Sequence, residues 1–182
     1  MKKIAVLLAE GFEEVEAVTP IDFLRRAGVD VITAGISGKT VTGAHGVPFT
    51  ADALVQDAPA DLDGVVIPGG MPGAANIAES AAALELVKKL SASGKLVAAI
   101  CAAPGVVLGP NGFLKGKRFT CYPGYEKDVS GASFSEDRVV IDGNLITSRG
   151  PGTAAEFALA LIKYLAGKDA ADKVHRETIQ RQ

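Results

Sequence analysis

The sequence has 182 residues and a formal net charge of -2, with 48% hydrophobic and 22% charged residues. This balance excludes a polybasic nucleic-acid surface and an acidic disordered tail, and the length predicts a single domain over residues 1–182. The two cysteines give no disulfide framework, so we expect a reducing compartment, the cytoplasm. The apolar stretch near the amino end is too short for a signal peptide or a membrane span, so no membrane association is expected.

The first third of the chain alternates apolar runs with helical spacing. Residues 4–9 predict a buried strand, residues 13–27 an amphipathic helix and residues 29–36 a second strand. The helix presents one apolar face, formed by Val15, Val18, Ile21, Leu24 and Ala27. Residues 38–53 are glycine-punctuated and alternating, which predicts a small hairpin with His45 near its turn.

A third buried strand is predicted over residues 62–68, and Gly69 and Gly70 follow it directly. Two glycines at this point let backbone N–H groups approach a ligand or an oxyanion closely. The loop lacks the residues and the spacing of a phosphate-binding loop. One broken helix or two successive helices are predicted over residues 76–90, with Ser80 as the N-cap of the second.

The stretch KLVAAICAAPGVVL, residues 95–108, predicts a strand, a sharp turn at Cys101 and a helix that begins near Pro104. The sulfur then lies at the amino end of a helix, where unpaired N–H groups and the helix dipole favour the thiolate. Nucleophile elbows have this build. The local pattern fits a small buried hydrophobic cysteine equally well.

The remainder of the chain predicts short strands, a long helix and a polar surface helix in the tail from residue 169 onward. A turn is expected at Asp142-Gly143. The short strands are predicted over residues 117–121, 129–134, 138–142 and 145–148.

Four motifs occur in this order along nearly the whole chain: GFEEVEAVTPIDFLRRAG, VVIPGGMPGAANI, VAAICAAP and TSRGPGTAAEFALALI. Together they resemble the ThiJ/PfpI superfamily, and within it the branch of Parkinson disease protein 7 and its bacterial ThiJ-like relatives. The resemblance implies a flavodoxin-like three-layer α/β sandwich with a mostly parallel sheet, a homodimer, and no cofactor or metal. Members of this branch are known as glyoxalases, deglycases, oxidative-stress sensors and chaperones.

The resemblance also implies roles for individual residues. The nucleophile of the elbow corresponds to Cys101 and its carboxyl partner to Glu16. The oxyanion hole corresponds to the backbone amides of Gly69, Gly70 and Ala102. Because a carboxylate and a thiolate repel each other in a partly buried site, we expect Glu16 to be a protonated donor to the sulfur.

The chain departs from its relatives at Tyr122, where they often carry a histidine. A phenol is a poor base near neutral pH, so either the chemistry is weak or another group moves the proton. One candidate is His45, which falls where relatives have an arginine on a hairpin that reaches the partner's site. We hypothesise that it supplies an imidazole to Cys101 of the partner subunit; the alternative is a solvated loop histidine.

Two arginines are further candidates for the site. Arg26 and Arg149 could line an anionic pocket near Cys101. The alternatives are a favourable charge at a helix end for Arg26 and the ordering of a loop for Arg149.

These expectations lead to a small-carbonyl enzyme without cofactors. The Cys101 thiolate would add to methylglyoxal or a related 2-oxoaldehyde, and water would release the hydroxy acid. Deglycation of amines or thiols could reflect the same carbonyl chemistry. The alternative is a non-enzymatic redox sensor or chaperone that responds through oxidation of Cys101, and a third interpretation is a cysteine peptidase.

Overall fold

A computed structural model describes residues 1–181 as helices on both faces of a central β-sheet. The strands are β1 (Lys3–Leu8), β2 (Asp30–Gly35), β3 (Thr40–Thr42), β4 (Pro48–Thr50), β5 (Ala53–Leu54), β6 (Gly64–Ile67), β7 (Leu96–Ile100), β8 (Arg118–Phe119), β9 (Ser133–Phe134), β10 (Val139–Asp142) and β11 (Leu145–Ser148). The helices are α1 (Glu14–Arg26), α2 (Gly73–Glu79), α3 (Ala81–Ala92), α4 (Ala154–Ala166) and α5 (Lys168–Glu177), with shorter helical turns between them. None of these helices is both long enough and apolar enough to cross a bilayer.

The central sheet has the strand order β10-β11-β7-β6-β1-β2-β5. Its strands are parallel except for the β10–β11 hairpin, whose turn is Gly143-Asn144, one residue later than the predicted Asp142-Gly143. Strands β3 and β4 form a separate antiparallel hairpin, as predicted for residues 38–53. The three-layer α/β sandwich with a mostly parallel sheet is therefore confirmed.

The sheet separates two hydrophobic cores, because alternate residues of a strand point to opposite faces. In β1, Ile4, Val6 and Leu8 belong to the core that contains α1, α4 and α5. Ala5 and Leu7 belong to the other core, which contains α2 and α3. Burial on both faces explains why the central strands appear in the sequence as continuous apolar runs.

Helix α1 buries a different face from the one that its valines suggest. Val15 and Val18 are 48% and 45% exposed, whereas Ile21 and Leu24 are buried as the spacing predicted. The buried face includes Glu16, which is 0% exposed. The apolar spacing thus identifies the helix but not its full buried face, since a carboxyl group takes a core position.

Three predicted elements are clearly shorter in the structure, and one of them is the strand predicted over residues 117–121, which is reduced to Arg118–Phe119. The helix after Cys101 is a single π-type turn over Pro104–Leu108, in which Gly109 N donates to Pro104 O at 2.9 Å. Glycine and valine are weak helix formers, and Gly109-Pro110 prevents an extension of the helix. The strand predicted over residues 129–134 is reduced to Ser133–Phe134.

The topology places the carboxyl ends of β1, β6 and β7 side by side at one edge of the sheet. In parallel α/β sheets, ligands bind outside this edge. The loops that follow these three strands contain the acidic helix start, the glycine pair and the elbow cysteine. The order of the strands in the sheet therefore brings the residues of the candidate site together.

Candidate active site

Cys101 stands at a strained turn directly after β7. Its backbone has φ 66°, a left-handed conformation that is uncommon for a residue with a side chain. Hydrogen bonds hold this turn on both sides, because Cys101 N donates to Ser148 O at 3.0 Å and Tyr122 N donates to Cys101 O at 2.8 Å. The thiol is partly exposed. The sharp turn predicted at this position is confirmed, and it presents the sulfur at the edge of the sheet.

Glu16 lies beneath the thiol in the first turn of α1. Its carboxyl group and the Cys101 thiol are close enough for each to influence the pKa of the other. Gly69 N donates to Glu16 Oε2 at 2.9 Å, while Oε1 is buried and has no hydrogen-bond partner among the described residues. A buried carboxylate oxygen without a donor is costly, so this environment favours the protonated carboxyl group.

The ionisation of Glu16 follows from this burial. Burial raises the pKa of the Glu16 carboxyl to about 7, and the hydrogen bonds with Cys101 and Gly69 oppose the shift. The charge of Glu13 adds to the increase. A carboxyl group with this pKa exchanges its proton at neutral pH, which is the property that a general acid–base needs.

The thiol of Cys101 is coupled to this carboxyl group. Burial and the neighbouring Glu16 raise the pKa of Cys101 to about 12, although the amides of Gly70 and Ala102 lower it. The sequence predicted that this turn favours the thiolate, and that prediction is wrong for the resting site: the two amides lower the pKa of Cys101, but burial and Glu16 outweigh them. Because two negative charges repel here, the pair holds one charge, and a thiolate forms when Glu16 keeps the proton.

The three backbone amides of the predicted oxyanion hole divide into two groups. The N–H groups of Gly70 and Ala102 lower the pKa of the Cys101 thiol. The N–H group of Gly69 is already bonded to Glu16. The Gly69 amide is therefore engaged with the carboxyl group, whereas the assignment of Gly70 and Ala102 as oxyanion donors stays a prediction.

Gly69 is also required for steric reasons. A Cβ atom at this position would lie 2.6 Å from Cys101 Cβ and 2.7 Å from Glu16 Oε2. Only glycine lets the backbone pass between the two reacting side chains.

Gly150 is a further site residue that the sequence did not single out. A Cβ atom on Gly150 would lie 3.2 Å from Tyr122 Cδ2 and 3.9 Å from Glu16 Oε1. The motif SRGPGT contributes to the family resemblance as a whole, and Arg149 is the one residue in it that the sequence analysis names as a site candidate. The close approach of a backbone to Glu16 depends on the tertiary fold, so the local sequence gives no signal for it.

Tyr122 and Arg149 lie at the rim of the site. The ring of Tyr122 is 46% exposed and packs edge-to-face against Tyr125, with 6.4 Å between ring centres. The guanidinium carbon of Arg149 stands 5.9 Å from the centre of the Phe134 ring. Both residues line the same small cleft.

His45 is engaged with acidic residues of its own chain. Its Nδ1 lies 2.9 Å from Glu14 Oε2 and 3.4 Å from Glu13 Oε2, and the bond to Glu14 raises the pKa of the imidazole. The three ligand atoms lie within 4.8 Å of one another, which a cation could bridge. The bond to Glu14 favours the protonated imidazole, whose single positive charge offsets part of the negative charge of the two carboxylates.

Arg26 does not reach the site of its own chain. It pairs with Asp22 at 2.7 Å and ends α1, about 15 Å along the helix axis from Glu16. Its predicted place in an anionic pocket is therefore wrong within the chain, and the helix-end alternative describes it. Cys101 and the buried Cys121 are both free thiols.

The chain is similar to known proteins. The DJ-1/PfpI family model matches residues 2–164. The chain is 41% identical over 183 residues to the protein DJ-1 homolog B of Arabidopsis thaliana, which covers 99% of this chain but only 42% of that protein, so the chain spans less than half of the plant protein. A protein of Pyrococcus abyssi named as a deglycase is 34% identical over 167 residues, 90% of this chain and 99% of the relative. The structure of oxidized Toxoplasma gondii DJ-1 superimposes with a TM-score of 0.95, at 39% identity and with 100% of both chains covered.

Proposed function

The chain belongs to the DJ-1/PfpI family, and on this premise we propose that it is a cofactor-independent enzyme that converts methylglyoxal and related 2-oxoaldehydes to hydroxy acids. The observation that carries the proposal is the contact between Cys101 at its strained turn and the buried Glu16, whose pKa is about 7. The similarity to a protein named as a deglycase supports carbonyl chemistry of this kind.

The first step is the addition of the thiolate to the aldehyde carbon. The Cys101 sulfur forms a C–S bond, and the carbonyl electron pair moves to oxygen. The amides of Gly70 and Ala102, which already face the sulfur, hold the oxyanion. Glu16 donates its proton to this oxygen, which gives a neutral hemithioacetal and a carboxylate.

The second step is an internal proton transfer. The Glu16 carboxylate removes the hydrogen from the former aldehyde carbon and returns a proton to the adjacent carbon, while the hydroxyl proton on the former aldehyde oxygen passes to the oxygen of the adjacent carbon. The hemithioacetal thereby becomes a 2-hydroxy thioester, with no net oxidation of the molecule. Water then cleaves the thioester, releases the hydroxy acid and restores the shared proton of Cys101 and Glu16. Deglycation uses the same addition to a carbonyl carbon, on an adduct instead of a free aldehyde.

The pH dependence of lactate formation tests this mechanism. Below pH 7 both Cys101 and Glu16 are protonated, so no nucleophile is present; above it the pair has lost one proton. We expect kcat/KM for methylglyoxal to increase as the pH rises through about 7, because methylglyoxal itself does not titrate there. Lactate should be measured between pH 5.5 and 8.5; a rate that is flat or that falls with pH over this range contradicts the mechanism.

A redox-sensing role is a second candidate. Cys101 is partly exposed, and the amides of Gly70 and Ala102 could hold the oxygens of a sulfinate. One similar structure is described as an oxidized form. Turnover separates the two candidates, because a sensor needs an oxidisable thiol but no catalytic cycle.

The proposed assembly is a homodimer in a reducing compartment such as the cytoplasm. Val15, Val18 and Val47 are large apolar side chains that the chain leaves exposed, and a partner copy could cover them. His45 lies on the same hairpin as Val47. The hypothesis that His45 serves Cys101 of the partner subunit stays a prediction of this dimer.

A further inference from the structure

A cleft of about 210 Å³ is lined by Tyr122 and Gly150, and Tyr122 is joined to Cys101 by the hydrogen bond from its N–H to Cys101 O at 2.8 Å. Tyr122 and Gly150 form the wall nearest to the pair of Cys101 and Glu16, since a Cβ atom on Gly150 would lie 3.2 Å from the Tyr122 ring and 3.9 Å from Glu16 Oε1. Another cleft, of about 260 Å³, is lined by Lys2 and Lys95 at the opposite edge of the sheet. The cleft at Tyr122 is thus the one placed to receive part of a molecule that reacts with Cys101.

The lining of this cleft favours an apolar group. The Tyr122 ring, Pro123 and Pro151 supply carbon surface. Two arginines border the cleft. Arg138 pairs with Glu156 at 2.6 Å, and the guanidinium carbon of Arg149 stands 5.9 Å from the centre of the Phe134 ring. A neutral ring meets the carbon atoms of the lining, and a guanidinium group such as that of Arg149 also attracts the face of an aromatic ring.

The ring of Tyr122 is held in place while it remains exposed. Its backbone N–H donates to Cys101 O at 2.8 Å, and its ring packs edge-to-face against Tyr125. Aromatic rings gain stability by packing against a second ring in such positions. A cavity of about 150 Å³ holds a benzene molecule. A phenyl ring therefore fits the cleft, while the methyl group of methylglyoxal fills little of it.

We infer that this cleft is a subsite for an aryl substituent, and that the enzyme selects aryl 2-oxoaldehydes, such as phenylglyoxal, through Tyr122. The inference rests on the proposed function, since it names the substrate class of the same site. The aldehyde carbon meets the Cys101 sulfur, and the aryl group on the adjacent carbonyl carbon extends toward Tyr122. Selection is a property of the Tyr122 ring rather than of its hydroxyl group.

Steady-state kinetics test the subsite. The quantity compared is the ratio of kcat/KM for phenylglyoxal to kcat/KM for methylglyoxal, and the products measured are mandelate and lactate. Tyr122→Ala is expected to lower this ratio about five- to tenfold. Tyr122→Phe should keep the ratio within about twofold of the wild-type value, because the ring remains. Tyr164→Ala is the matched control, because Tyr164 is 44% exposed but lies on α4 beside the opposite cleft. An unchanged ratio in Tyr122→Ala overturns the inference.

Alkylation of Cys101 tests the subsite without turnover. Phenacyl bromide and bromoacetone each lose bromide to the thiolate and form a thioether, and intact mass reports the rate. Rates are divided by those of the same reagents with glutathione, and Cys101→Ala shows that the reaction is at this thiol. We expect Tyr122→Ala to lower the aryl-to-methyl ratio by the same factor. If the wild type forms no hydroxy acid, the proposed function fails, and the alkylation ratio alone tests the aryl subsite. A lower aryl-to-methyl ratio in Tyr122→Ala than in the wild type then supports the subsite, and an unchanged ratio overturns it.

Discussion

Glu16→Gln is expected to lower kcat/KM for methylglyoxal by about 10²- to 10⁴-fold, the usual contribution of a general acid–base. Glutamine has the shape of the protonated carboxyl group and can accept the hydrogen bond from Gly69. It cannot take a proton from the carbon of the hemithioacetal or deliver one to the adjacent carbon. Lactate formation by the purified variant measures the loss.

The same substitution should stabilise the protein in a pH-dependent manner. The pKa of Glu16 is about 7 in the folded chain, against an ordinary value of 4.5, so folding favours the protonated form. The contribution of Glu16 to the free energy of unfolding is therefore fully present below pH 4.5. As the pH rises toward 7, the free energy of unfolding decreases by about 3 kcal/mol in total. Glu16→Gln carries no charge and avoids this loss.

Urea unfolding at pH 5 and pH 8 measures this effect. We expect the two proteins to have similar unfolding free energies at pH 5 and the variant to be more stable at pH 8. Glu79→Gln, at an exposed carboxyl group on α2, is the matched control and should change neither activity nor stability. Full activity in Glu16→Gln, or an equal stability difference at both pH values, contradicts the role assigned to Glu16.

Gly69→Ala has the second large expected effect, and its cause is steric. The added Cβ would lie 2.6 Å from Cys101 Cβ, 2.7 Å from Glu16 Oε2 and 3.0 Å from Ala102 N. The last of these is a backbone atom and cannot move by a side-chain rotation, so the pair of Cys101 and Glu16 must separate. A displacement of about 1 Å in a catalytic geometry costs about 10²-fold in rate, and overpacking costs about 1–3 kcal/mol of stability.

The control for this substitution is Gly38→Ala. The nearest atom to a Cβ on Gly38 is 3.8 Å away, an ordinary contact. Lactate formation and urea unfolding should both show a loss in Gly69→Ala that is absent in Gly38→Ala. Wild-type kinetics in Gly69→Ala would mean that the reacting groups do not meet at this point.

Local patterns in the sequence predict the strand, the sharp turn and the helical segment at Cys101, and they predict the buried central strands. Long apolar runs bounded by glycines predict such strands because both faces of the sheet are covered. The same patterns could not place Glu16, because the spacing of Val15 and Val18 marks a face that the structure leaves partly exposed. Its position as a buried partner of Cys101 came from the family resemblance.

Contacts between distant segments explain the remaining differences. The hydrogen bond from Gly69 to Glu16 joins residues that are 53 positions apart, so no local rule assigns that amide to the carboxyl group rather than to an oxyanion. The approach of Gly150 to Glu16 and Tyr122 is of the same kind. Arg26 was a candidate for an anionic pocket near Cys101, but its side chain is at the far end of α1 and pairs with Asp22.

Lactate formation from methylglyoxal tests the central claim most directly, which is that Cys101 carries out cofactor-independent turnover. The purified chain should be assayed without glutathione and with a metal chelator present, beside Cys101→Ala. We predict many moles of lactate per mole of wild-type protein and none above background from the variant. Lactate that never exceeds the amount of protein, or an equal yield from Cys101→Ala, would contradict the claim.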